Sequence, residues 1–188
     1  MATEHYEARF GGAGGQGLML IGDILAFAAG CLDNKEILLT KSYGPESRGG
    51  ACRSELIIDA RPINYPAVSK PDFVLAMTQL ACEKYHADIA DDGVLLIDSD
   101  LVTSFPDRVK TVYGIPLTKI ATETIKNAIT ANITALGAIA VLARCAETAS
   151  IKQAILNRFP ENLHSVNVRA FEAGVTAAQS AKNLVRHP

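Results

Sequence analysis

"GGAGGQG", residues Gly11–Gly17, follows the short apolar segment Tyr6–Phe10 and precedes the apolar run Leu18–Ala29. A strand, a glycine turn and a helix in that order open an α/β fold of the nucleotide-binding kind. Within the stretch, Gly12-x-Gly14-x-x-Gly17 fits the dinucleotide pattern. On its own the pattern has two readings. Either the glycines bring backbone close to a phosphate, or they merely let the helix pack tightly on its strand.

Outward from that turn, apolar periodicity predicts a helix over Gly15–Cys31, with Leu18, Ile21, Leu25 and Ala28/Ala29 on one stripe. Glu36–Thr40 reads as a second strand, "KSYGPESRGGAC" as a loop dense in turn formers, and Ser54–Asp59 as a third strand. Pro62, Pro66 and Pro71 punctuate a connector. "DFVLAMT" then reads as a buried strand, Gln79–Ala90 as an amphipathic helix, and "GVLLIDS" and "RVKTVYGI" as two more strands.

From Thr118 onward only helices are expected. Asn132–Ala146 is nearly all apolar and should be buried on most sides. Gly137 inside it implies close backbone packing, because glycine there costs about 1 kcal/mol against alanine. Ser150-x-x-Gln153 has the capping-box pattern of a helix start, Pro160 stops that helix, and Ser165–Asn183 makes the last one. Strands alternating with helices, followed by a helical C-terminal portion, give an α/β class with a mostly parallel sheet. Residues 1–188 read as a single domain without repeats.

Composition narrows the function. The 188 residues are 48% hydrophobic and 20% charged, with a net charge of −2, no tryptophan and 6% aromatics. That argues against nucleic acid or an anionic membrane as partner. Charged Glu4, His5, Glu7 and Arg9 argue against a signal peptide, and Ile133–Ala143 is too short to span a bilayer, so a soluble, cytoplasmic protein is expected. Cys31, Cys52, Cys82 and Cys145 are widely spaced, with no C-x-x-C pair, so no metal or cluster ligands are expected. All four read as small buried apolar residues, and Cys52, although it follows the glycine-rich loop, has no base assigned to it.

In an open α/β sheet, ligands sit at the carboxyl ends of the strands. If the first crossover is right-handed, the Gly11–Gly17 turn and the Lys41–Cys52 loop leave the same rim. That rim would hold the free N–H groups of the first helix, with Lys41 and Arg48, a set suited to phosphate or carboxylate. A NAD site requires an acid at the end of the second strand, where Thr40-Lys41 stands instead. NADP would tolerate Lys41, so an NADP-dependent enzyme stays open. Arg48 could clamp an anion or pair locally with Glu46, and a glycine-rich loop with Tyr43 and Arg48 also suits a subunit contact.

"GGAGGQG", "SYGPESRGG" and "ANITALGAIAVL", in this order, resemble the gamma subunit of 2-oxoacid:ferredoxin oxidoreductases along essentially the whole chain. The Ser-Tyr-Gly-Pro-Glu-x-Arg-Gly-Gly form is most similar to the 2-oxoglutarate type; pyruvate, branched-chain and indolepyruvate enzymes carry related loops. The resemblance implies a Rossmann-like three-layer domain and no catalytic residue in this chain. It implies coenzyme A as cosubstrate nearby, with thiamine diphosphate, Mg²⁺ and [4Fe-4S] clusters in alpha, beta and possibly delta partner subunits, and ferredoxin as partner of the complex. Carried over by position, Gly11, Gly12, Gly14, Gly15, Gln16 and Gly17 form one loop facing the coenzyme or the catalytic subunits. Ser42, Tyr43, Gly44, Pro45, Glu46, Arg48, Gly49 and Gly50 form the other, and Asn132 caps the buried helix or reaches the cleft. No Gly-Asp-Gly with its asparagine pair is present for thiamine diphosphate: Gly22-Asp23 runs into Ile24, and Asp92-Gly93 precedes a strand. A purely interfacial role for both loops is the alternative.

Overall fold

The computed structural model describes residues 5–43, 51–64 and 67–181. Its framework is one sheet of six strands: β1 (His5–Ala13), β2 (Glu36–Ser42), β3 (Ala51–Asp59), β4 (Phe73–Ala76), β5 (Val94–Asp98) and β6 (Thr111–Ile115). Their spatial order is β2-β3-β1-β4-β5-β6. β1, β4, β5 and β6 run parallel, whereas β3 is antiparallel to both β1 and β2. The stretch from Ser42 to Ala51 is too short for a parallel crossover, so β2 and β3 must pair as a hairpin. β1 and β2 therefore share a direction, as expected, with β3 between them. Both loops still leave the same carboxyl edge.

The helices are α1 (Leu18–Phe27), which runs on as a π turn over Ala28–Leu32; α2 (Gln79–Tyr85); α3 (Leu117–Lys119), continued in π geometry over Ile120–Thr124; α4 (Ala131–Leu142); α5 (Thr148–Arg158); and α6 (Glu161–Ser180). α1 and the C-terminal helices cover one face, burying Phe10, Leu56, Leu75 and Leu96 with Ile21, Leu136, Ile139 and Phe171. The other face carries α2 with Ile89, Val102 and Val109 from the segments that follow it, over Val74, Ala76, Leu95, Ile97 and Val112. The result is the expected three-layer α/β arrangement with unequal outer layers. No helix among the described residues is long and apolar enough to cross a membrane.

Several boundaries differ from the sequence expectation for local reasons. The first helix begins at Leu18 rather than Gly15, because Gly15 and Gly17 hold φ of +90° and +79°. The Gln79 helix ends at Tyr85 rather than Ala90. The Ser150-x-x-Gln153 pattern does not start α5. Asp33 performs that task from a distance, its carboxylate accepting from Glu147 N (2.8 Å) and from Ser150 Oγ. Pro160 ends α5 and also opens α6, four residues before the expected start; Lys182–Asn183 lie outside the described residues. Cys82 and Cys145 are buried as expected, but Cys52 is half-buried and Cys31 exposed. Burial pushes the Cys82 thiol up to about 11 and Cys145 up to about 12.

α4 and α6 cross through two glycines. A Cβ on Gly137 would lie 2.0 Å from the Phe171 carbonyl oxygen, and one on Gly174 would lie 1.9 Å from the Thr134 carbonyl oxygen. Both obstacles are backbone, so no rotamer change relieves them. Gly174→Ala should destabilise the chain by about 3 kcal/mol despite alanine's better helix propensity. Urea unfolding of the full chain checks this; a stability change near zero would mean that the helices do not cross there.

Candidate functional site

The carboxyl edge is organised around the turn at residues 14–17, because Gly11, Gly12 and Ala13, expected in the loop, continue β1 in register with β3. Gly11 O accepts from Met77 N at 2.9 Å, which ties the end of β1 to the end of β4. The Gln16 side chain then folds back under the turn. Its Oε1 accepts from Ala13 N (2.7 Å), and its Nε2 donates to Met77 O (3.3 Å). Ser54 Oγ donates to Leu18 O at 2.7 Å and fixes the first turn of α1 to β3.

The predicted glycines divide into two groups. Gly11 and Gly12 leave room for protein side chains: a Cβ on Gly11 would meet the Tyr85 ring at 2.5 Å, and one on Gly12 would meet Gln16 Oε1 at 2.5 Å. Gly17 is filled by Asn132, whose Nδ2 lies 2.2 Å from where a Cβ would stand. Gly14 and Gly15 are different. They are exposed, and a Cβ would meet nothing closer than Cys52 Sγ at 3.9 Å on Gly14 and nothing within 4 Å on Gly15. Only this tip of the turn faces outward.

Asn132 fills the space beside Gly17, and Thr130 rather than Asn132 stands at the cap position of α4. Asn132 is the second residue of α4, buried, with Oδ1 accepting from Ile133 N at 2.9 Å. Ser42 and Tyr43 lie at the carboxyl end of β2 on the same edge, Ser42 opposite Arg53 in the ladder. Gly44, Pro45, Glu46, Arg48, Gly49 and Gly50 lie outside the described residues. Lys41, expected at the rim, is engaged with Asp23 of α1 at 2.6 Å. No group of three or more metal-ligating side chains exists among the described residues.

Three features went unread in the sequence. Asp98, fully buried at the end of β5, accepts from Thr118 N (3.0 Å) and Thr118 Oγ1 (2.6 Å), anchoring the start of α3; burial holds its carboxyl above the usual range. Arg9 and Glu55 form a buried cross-strand pair at 2.6 Å beneath the rim. Charged residues alternating in "YEARF" and "RSELI" were the available signal, but pairing them requires the strand order. Finally, Tyr43, Leu80, Leu101 and Ile129 expose large apolar side chains. These four belong to segments at the carboxyl edge: Tyr43 after β2, Leu80 in the first turn after β4, Leu101 after β5, and Ile129 just before α4; Phe27 and Leu163, also exposed, lie at the end of α1 and in the first turn of α6.

The profile of the family described as pyruvate ferredoxin/flavodoxin oxidoreductase matches residues 7–177. The chain is 45% identical to the 2-oxoglutarate synthase subunit KorC of Methanocaldococcus jannaschii, over 92% of this chain and 94% of that one. In structure it is similar to the gamma subunit of a keto/oxoacid ferredoxin oxidoreductase from Geobacter sulfurreducens, with a TM-score of 0.88, 41% identity, and 96% and 100% of the two chains covered. It also has the fold of one part of a 2-oxoglutarate:ferredoxin oxidoreductase from Magnetococcus marinus, solved with 2-oxoglutarate, coenzyme A and succinyl-CoA bound; the TM-score is 0.83 at 23% identity, covering 99% of this chain and 34% of that one.

Gln16→Ala removes the acceptor of Ala13 N and a donor to Met77 O. The expected loss is about 1–2 kcal/mol in urea unfolding, with faster amide exchange at Ala13. Unchanged exchange there would show that Gln16 does not hold the turn.

Proposed function

The chain belongs to the pyruvate ferredoxin/flavodoxin oxidoreductase family as a gamma-type subunit, and from that premise we propose that its carboxyl edge joins the catalytic subunits and receives coenzyme A there. The observation that carries the docking role is the set of exposed apolar side chains on that one edge. Ile129 is 86% exposed and Tyr43 71% exposed, and Leu80 and Leu101 accompany them. Scattered exposed apolar residues are ordinary; several along one edge of a sheet mark an interaction surface.

The coenzyme reading rests on the tip of the turn. Gly14 and Gly15 offer bare backbone, and α1 begins behind them with no side chain capping its N-terminus. Unpaired N–H groups and the positive end of a helix favour the phosphates of a nucleotide coenzyme. Thiamine diphosphate and iron–sulfur clusters in alpha, beta and delta partners would supply 2-oxoacid decarboxylation and electron transfer to ferredoxin, in a cytoplasmic complex. This chain's residues bind and orient: Gln16 and Asn132 hold the turn in shape, and Arg48 pairs with a coenzyme anion. The resemblance of "SYGPESRGG" and the similarity to the KorC subunit support 2-oxoglutarate as the acid.

Two variants of the assembled enzyme separate the roles. Ile129→Asp should lower affinity for the partner subunits about tenfold or more while leaving this chain folded. Arg48→Ala should raise KM for coenzyme A with assembly intact. Loss of assembly in Arg48→Ala at unchanged KM would assign that loop to the interface alone. Faster turnover with pyruvate than with 2-oxoglutarate would overturn the substrate.

A further inference from the structure

Among the described residues, α2 covers only part of one face of the sheet. α2 packs on β1 and β4 and reaches β3, while β2 forms the sheet's edge. Between α2 and that edge, the floor is a row of charged side chains on alternate residues: Arg9 on β1, with Arg53 and Glu55 on β3. The Tyr85 ring from α2 stands over this floor, its hydroxyl donating to Ala51 O at 2.9 Å.

Three cations surround that ring. The guanidinium carbons of Arg9 and Arg53 lie 5.9 and 5.6 Å from its centroid, and Lys84 Nζ lies 5.7 Å from it. They are unequally neutralised. Arg9 is buried and takes Glu55 at 2.6 Å and Asp88 at 3.4 Å. Glu55 is thereby committed, and its other oxygen reaches Arg53 Nε only at 3.4 Å. Among the described residues, Arg53 Nε is the one buried side-chain nitrogen or oxygen without a hydrogen-bond partner. An unmet donor on a buried cation is costly unless something accepts from it. The Arg53 side chain is nonetheless 36% exposed, and Lys84 is exposed beside it. Ser42, opposite Arg53 on β2, adds an exposed hydroxyl.

We propose that Arg53 and Lys84, flanking Tyr85 between α2 and the edge strand β2, form a binding site for a phosphate or diphosphate group. Arg53 supplies the planar fork that matches phosphate oxygens, Lys84 supplies a mobile point charge, and the Tyr85 ring holds both cations in place. Both cations stand against the same ring, 5.6 and 5.7 Å from its centre. A free phosphate ester and the phosphates of a nucleotide coenzyme share this chemistry.

The test is a titration of the full chain with inorganic pyrophosphate, following the Arg53 Nε–H resonance by NMR. A saturable shift that weakens about tenfold in Lys84→Gln is expected. Lys84 is exposed, so its variant reports on binding without a folding defect. No saturable shift, or one unchanged in Lys84→Gln, overturns the proposal. Coenzyme A moving the same resonance would identify a nucleotide coenzyme as the source, and pyrophosphate acting alone would identify a free phosphate ester. If Arg48→Ala raises KM for coenzyme A while the Arg53 resonance stays still under both ligands, this site is refuted and the rim's function stands.

Discussion

A side chain on Gly17 would need the space that the Asn132 amide already fills, and this contact fixes the start of α4 against the start of α1. The same turn is pinned from below by Gln16 between Ala13 and Met77, and from the side by Ser54 on Leu18. Three elements that meet nowhere else in sequence therefore converge on four residues. What remains free after those contacts are made is the tip, Gly14–Gly15. The glycines serve two purposes: most admit neighbouring protein atoms, and two leave backbone open to whatever arrives at the edge.

Beneath the rim, the sheet carries charge where an α/β core normally carries valine or leucine. Arg9 and Glu55 are both buried, and each keeps a second, longer ion pair at 3.4 Å, Arg9 to Asp88 and Glu55 to Arg53. The Tyr85 ring closes this layer, and Gly11 is bare because that ring occupies its side-chain space. Charge in the sheet, the aromatic ring on α2 and the glycine on β1 thus depend on each other. The opposite face, with its glycine-to-glycine crossing of α4 and α6, buries mainly apolar side chains, with a few uncharged polar groups such as Thr134 and Asn167.

The strand–glycine turn–helix opening was legible because every residue that defines it is local. Gly137 announced a close helix approach through its poor propensity, although its partner Gly174 did not stand out. β3's insertion between β1 and β2 was not legible, since strand order is a tertiary outcome; the short β2–β3 link was the available clue. Asn132 was picked out through a resemblance, but its place against Gly17 needed the fold. Ser150-x-x-Gln153 misled because Asp33, far away in sequence, outcompetes the local capping pattern. Nothing local in the sequence marks Ile129 or Leu80 as exposed; their positions at the sheet edge do.

Hydrogen–deuterium exchange on this chain, alone and within the assembled oxidoreductase, tests the central claim most directly. Protection should appear on assembly in the segments carrying Gly14–Leu20, Leu80, Leu101 and Asn127–Asn132, and should deepen at Gly14–Leu20 when coenzyme A is added. Protection confined to the α1–α5 face or to the amino ends of the strands, with Gly14–Leu20 exchanging as in the free chain, would contradict it.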